Sequence, residues 1–133
     1  MSGNFLIIGG NSDIAKVLIE NLLNQDANIT LLVRQESLPA STSENIEIVV
    51  GDATQEGDLQ QAVQAASNKG AIDGIVHCVG SIVIRPPHAM KKEGFEEVIS
   101  TNLTSAFLTL SIGGKSMLRN GGGRMVFLSL IHI

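Results

Sequence analysis

The sequence predicts an α/β fold, a doubly wound parallel sheet of about five strands, and three observations carry that reading. Its apolar residues gather in short Ile/Val/Leu runs without strict alternation, the pattern of strands covered on both faces. Segments with apolar residues at helical spacing separate those runs. The first run, Asn4 to Ile8, breaks on Gly9-Gly10 and passes directly into a helical pattern, as a first βα unit does.

Each element has a local reason. After the first strand, Ser12 to Asn24 places Ile14, Val17, Leu18 and Leu22 at helical spacing, with Ser12 or Asp13 able to cap the start. Ala27 to Val33 reads as the second strand, and a polar loop containing Pro and Ser, Gln35 to Asn45, leads to a third at Ile46 to Val50. Gly51-Asp52-Ala53-Thr54 punctuates. Asp58 to Asn68 then carries Leu59, Ala62, Val63 and Ala66 on one helical face, and Ile72 to Val79 reads as the fourth strand. Arg85-Pro86-Pro87 marks a loop, because adjacent prolines cannot sit inside a helix. Lys91 to Met117 follows as a helix in two pieces, loosened near Thr101 and near Gly113-Gly114. Asn120-Gly-Gly-Gly stops it before a fifth strand, Arg124 to Leu128.

Bulk properties exclude several function classes. The 133 residues suit one domain, and a 44% hydrophobic content comes without any apolar run near the roughly 18 residues that span a bilayer. No membrane association is expected. A net charge of −4 with scattered Lys and Arg gives no basic stripe, so no nucleic-acid partner is expected either. The lone Cys78 has no partner for an internal disulfide and none at metal-ligand spacing, and no export signal is visible, which makes the cytoplasm the expected compartment. His77 and His88 read as structural histidines, and Cys78 as a small buried residue.

In such a sheet, ligands bind beyond the carboxyl ends of the strands. Gly9, Gly10, Asn11, Ser12 and Asp13, then Arg34, then Asp52, Ala53 and Thr54, then Cys78, Val79 and Gly80 occupy those ends and should converge on one crevice. A glycine turn lets backbone approach a pyrophosphate. The free N–H groups at the helix start near Ile14 favour negative charge.

These groups, taken with Asn102, resemble the short-chain dehydrogenase/reductase family, and the likeness runs from Phe5 to about Leu128. It implies a Rossmann-like NAD(P)-binding domain across the chain. The family's TGxxxGxG motif corresponds to Ile8-Gly9-Gly10-Asn11-Ser12-Asp13-Ile14-Ala15, in which only the leading glycine is kept. In such proteins an arginine just beyond the second strand pairs the 2′-phosphate of NADP, so Val33 followed by Arg34 implies NADP(H) in preference to NAD(H). By the same resemblance, Asp52 accepts from the adenine amino group and the Ala53 backbone meets the ring. Cys78-Val79-Gly80 matches the family's Asn-Ala-Gly segment, where the glycine lets the cofactor ribose lie close. Asn102 matches the asparagine that holds a kink in a long helix and a water in the proton relay. That helix usually forms the dimer interface, which implies a homo-oligomer in the intact protein.

The same resemblance shows what is missing. Hydride exchange between nicotinamide and a carbonyl or secondary alcohol needs a proton donor or acceptor, which in this family is the tyrosine of Tyr-x-x-x-Lys. This chain contains no tyrosine. Arg124 to Leu130 resembles the strand leading to the family's serine, with Ser129 one residue early and Leu130 in the usual catalytic place. Ser129-Leu-Ile-His-Ile resembles translated sequencing-adapter sequence, and the expectation is a truncated reading frame, true to the family to about Leu128 and inactive alone. Two alternatives stand beside it: a non-catalytic or redox-sensing NAD(P)-binding module, and an S-adenosylmethionine-dependent methyltransferase, against which Arg34 argues because that cofactor favours an acid after the second strand.

Overall fold

In a computed structural model, which describes residues 3–34 and 43–128, the first apolar run of the chain becomes the centre of the sheet. This is β1 (Asn4–Ile8), whose Leu6, Ile7 and Ile8 are wholly buried. It pairs in parallel with β2 (Asn28–Val33) on one side and β4 (Gly74–His77) on the other. Beyond them lie β3 (Ile46–Val50) and β5 (Arg124–Phe127), giving the order β3-β2-β1-β4-β5. The order reverses between β1 and β4, so the strand-end loops diverge there and open a crevice. Ser129 and its neighbours to Ile133, and the loop residues 35–42, lie outside the described residues.

Helices cover the two faces unequally. One face packs Ile7, Ile29, Leu31 and Val33 against α1 (Asp13–Leu23), which Ser12 caps by accepting a 3.1 Å bond from Ala15 N. The expected inward stripe of Ile14, Val17, Leu18 and Leu22 is corrected: Ile14 and Val17 are 56% and 60% exposed. The inward stripe is Ala15 and Leu22, both buried, with Leu18 and Ile19 partly buried beside them. Both sets satisfy a 3.6-residue period, and small Ala15, wholly buried, lets the helix start sit close to the sheet.

The other face packs Leu6, Ile8, Leu32, Val49 and Ile75 against α2 (Glu56–Ser67) and against a long helical run. Leu59, Ala62, Val63 and Ala66 are buried as their spacing predicts, although α2 starts two residues earlier than expected, at Glu56. The long run comprises α3 (Lys92–Ile99), a π-helical segment (Ser100–Thr104), α4 (Ser105–Leu108), a second π-helical segment (Thr109–Gly113) and α5 (Gly114–Arg119). The loosening expected near Thr101 and Gly113 is therefore a pair of widened turns, and the helix never breaks. Gly113 is required by close approach: a Cβ there would lie 2.5 Å from Ile75 Cδ1. β5 closes the sheet as an edge strand, with Val126 50% exposed.

Candidate functional site

The carboxyl ends of β1 to β4 open into a cleft of about 630 Å³. Gly9, Asn11 and Ser12 line it from β1, Arg34 from β2, Gly51 to Thr54 from β3, and Cys78 to Ser81 from β4. Glu97, Ser100 and Thr101 of the long helix form the facing wall.

Gly9 makes the first turn possible. Its φ is +82°, its N–H donates to Leu32 O at 2.9 Å, and a Cβ there would stand 2.8 Å from Val79 Cγ2. Only glycine combines that left-handed backbone with so close an approach to the β4 loop. The Ser12 cap satisfies Ala15 N, leaving the amides of Asp13 and Ile14 without a partner among the described residues. The start of α1 thus offers unspent N–H groups and the positive end of a helix dipole.

Three residues expected at this turn do not line the cleft. Gly10 lies against Leu31, where a Cβ would meet Cδ2 at 3.0 Å. The Asp13 side chain points into solvent, 3.9 Å from Lys16 Nζ, and Ile14 faces outward. The cause is the helix itself: its first turn directs side chains around the axis, and only backbone remains toward the cleft.

Asp52 shapes the β3 loop. Its Oδ1 accepts from both Thr54 N and Thr54 Oγ1 at 2.8 Å, while its own N–H donates to Asp58 Oδ2 at 2.8 Å. Ala53 is thereby held buried at the floor of the loop. Cys78, expected as a small buried residue at the strand end, is half-buried and lines the cleft. Burial pushes its thiol pKa up, against a smaller lowering by a hydrogen bond with Ser12, so the thiol stays protonated at neutral pH.

Asn102 does not line the cleft but ties its walls together. Its Nδ2 donates to Ser81 O and to Val98 O, both at 2.9 Å, and its Oδ1 accepts from Ser81 N at 3.0 Å. His77 is buried, with Nε2 2.8 Å from Ser105 Oγ and its ring 5.6 Å from that of Phe127. Desolvation lowers its pKa and keeps the imidazole neutral. Ser81, Glu97, Ser100 and Thr101 went unnoticed in the sequence. Ser81 closes the loop after β4 that begins at Cys78, and Ser100 and Thr101 precede Asn102, so position could have found these three. Among the described residues, no group of three His, Cys, Asp or Glu could hold a metal ion, and no helix is long and apolar enough to cross a membrane.

Residues 4–131 match the family model for short chain dehydrogenases. The chain belongs to the short-chain dehydrogenase family. This membership displaces the methyltransferase alternative. The chain is 29% identical to a tropinone reductase homolog from Arabidopsis thaliana, the match covering 96% of this chain and 53% of that one. It is 26% identical to ElxO with NADP bound, with a TM-score of 0.85 over 97% of this chain and 56% of that one. A short chain dehydrogenase from Leptospira borgpetersenii with bound NAD+ shares the fold at a TM-score of 0.84 and 24% identity, over 96% of this chain and 51% of that one. This short-chain dehydrogenase chain therefore spans about half the length of the relatives it matches.

Proposed function

We propose that the chain is the cofactor-binding part of an NAD(P)-dependent oxidoreductase that interconverts a small-molecule carbonyl and a secondary alcohol, with NADP(H) preferred. The observation that carries this reading is the convergence of four strand-end loops on one cleft with the donor set a dinucleotide needs. The backbone of Gly9 to Ile14 would hold the pyrophosphate, Arg34 the 2′-phosphate, Asp52 and Ala53 the adenine, and Cys78 to Gly80 the ribose. Family membership and an NADP-bound similar structure support it. When bound, the nicotinamide supplies hydride; the residues of this chain bind and orient it, and Asn102 holds the wall beside it.

A second reading, a binding module without turnover, is favoured by the absence of tyrosine from the 133 residues. On either reading this chain alone binds dinucleotide and does not reduce a carbonyl.

Arg34 tests the cofactor preference. Removing a charge-assisted contact to the 2′-phosphate costs on the order of 1.5–3 kcal/mol, so Arg34→Ala should lower the NADPH-to-NADH affinity ratio by about tenfold or more. Calorimetric titration of both cofactors reads it. An unchanged ratio would defeat the assignment.

A further inference from the structure

Two walls of the cleft come from distant parts of the chain, the loop after β4 and the long helix, and polar bonds join them at two depths. The outer pair is Asn102 with Ser81. The inner one is buried: His77 Nε2 lies 2.8 Å from Ser105 Oγ, which lies 2.5 Å from Thr101 O. The π-helical turn explains the second contact. Ser105 N–H bonds to Ser100 O, so the Thr101 carbonyl loses its ordinary α-helical donor and the Ser105 hydroxyl stands in for it. A hydroxyl has one proton. With that proton directed at a carbonyl, which only accepts, Ser105 Oγ presents its lone pairs to His77, an arrangement that fits an Nε2–H tautomer of the ring. Ser105 and His77 are 0% and 2% exposed, so bulk water offers neither a substitute partner.

We propose that His77 and Ser105 are a positioning pair: they lock the π-helical turn to the end of β4, so that Thr101 and Asn102 meet the Cys78–Ser81 loop at the spacing dinucleotide binding requires. The inference rests on the cofactor reading above and adds the residues that set the cleft width. His77 immediately precedes the loop, and Thr101 and Ser100 line the opposite wall. Neither His77 nor Ser105 touches the cleft, so their effect travels through Thr101, Asn102 and Ser81.

The experiment uses the isotopically labelled chain in solution. Long-range proton–nitrogen correlation should find His77 in the Nε2–H tautomer. Ser105→Ala should move the Ser81 backbone amide and the Asn102 side-chain amide resonances and weaken NADP+ binding by about tenfold. His77→Gln, which keeps a nitrogen donor at similar reach, should retain both, whereas His77→Leu should lose them; a merely space-filling role would rank the two variants the other way. An Nδ1–H tautomer, or Ser105→Ala with Ser81 and Asn102 unmoved, would overturn the proposal. Should Ser105→Ala not fold, the wild-type tautomer still decides. If the wild-type chain binds neither NADP+ nor NAD+, the cofactor reading fails, while the Ser81 and Asn102 resonances still judge the pair.

Discussion

His77 shows how one residue links sheet, helix and solvent conditions. Its imidazole is buried and held neutral, with a pKa below the ordinary 6.5, while an unfolded chain would titrate near that value. Below pH 6.5 the unfolded state takes up a proton that the folded state refuses. The stability contributed by neutral His77 is therefore fully present above 6.5 and is lost as pH falls through it, at up to about 1.4 kcal/mol per pH unit. Urea midpoints at pH 7.5 and 5.5 should differ in the wild type and converge in His77→Gln, which keeps a donor and cannot titrate. Equal shifts in both proteins would place the pH sensitivity elsewhere. Asp13 and Ala15 are the other residues where this chain departs from its family's glycines. Ala15 is small enough to keep α1 against the sheet, and Asp13 turns its carboxylate to solvent, so the backbone course of the turn survives both replacements.

At the scale of elements, the long helix depends on where it widens. The second π-helical segment ends at Gly113, whose missing side chain leaves room for Ile75 and Met125. Gly113→Ala should destabilise the fold by about 1–3 kcal/mol, since a Cβ 2.5 Å from Ile75 Cδ1 obliges that buried side chain to leave its packed position. Chemical denaturation measures it; a neutral or stabilising result would mean that Ile75 repacks freely. This helix also marks where sequence reading stops. β1, β3 and the buried face of α2 are legible because short apolar runs, Phe5 to Ile8 and Ile48 to Val50, and a clean helical period leave little choice. The inward face of α1 is not, because Ile14 and Val17 compete with Ala15 and Ile19, both pairs at helical spacing, and only the docking distance decides. The π-helical turns have no periodic signature. Of the cleft, the strand-end residues Gly9, Asn11, Ser12, Arg34, Asp52, Ala53 and Cys78 to Gly80 were visible by order and spacing. Gly10, Asp13 and Ile14 do not line it, and what they can offer a ligand is backbone, which no side-chain pattern reveals.

For the whole molecule, the uncovered apolar surface is the dominant fact. Phe95, Ile99, Leu103, Phe107 and Leu110 are exposed along the long helix, and Val126 and Phe127 on edge strand β5. The helix residues recur every three or four positions, so they share one side of the run, the arrangement of an apolar contact face. We propose that the chain self-associates through the helix stripe. Sedimentation should show association that rises with concentration, and Phe107→Glu should shift it toward monomer by placing a charge in the apolar contact. A wild-type chain that stays monomeric at high concentration would contradict this. Association would also stabilise the fold by mass action, making its unfolding temperature depend on concentration.

Whether the strand-end cleft takes a dinucleotide is read by mapping NADPH onto the backbone amides of the 133-residue chain. Saturable shifts are expected at Gly9 to Ile14, Arg34, Asp52 to Thr54 and Cys78 to Ser81, with no oxidation of the cofactor in the presence of a carbonyl compound. Failure to saturate, or shifts centred on Lys115 to Arg119 at the far end of the helix, would contradict it.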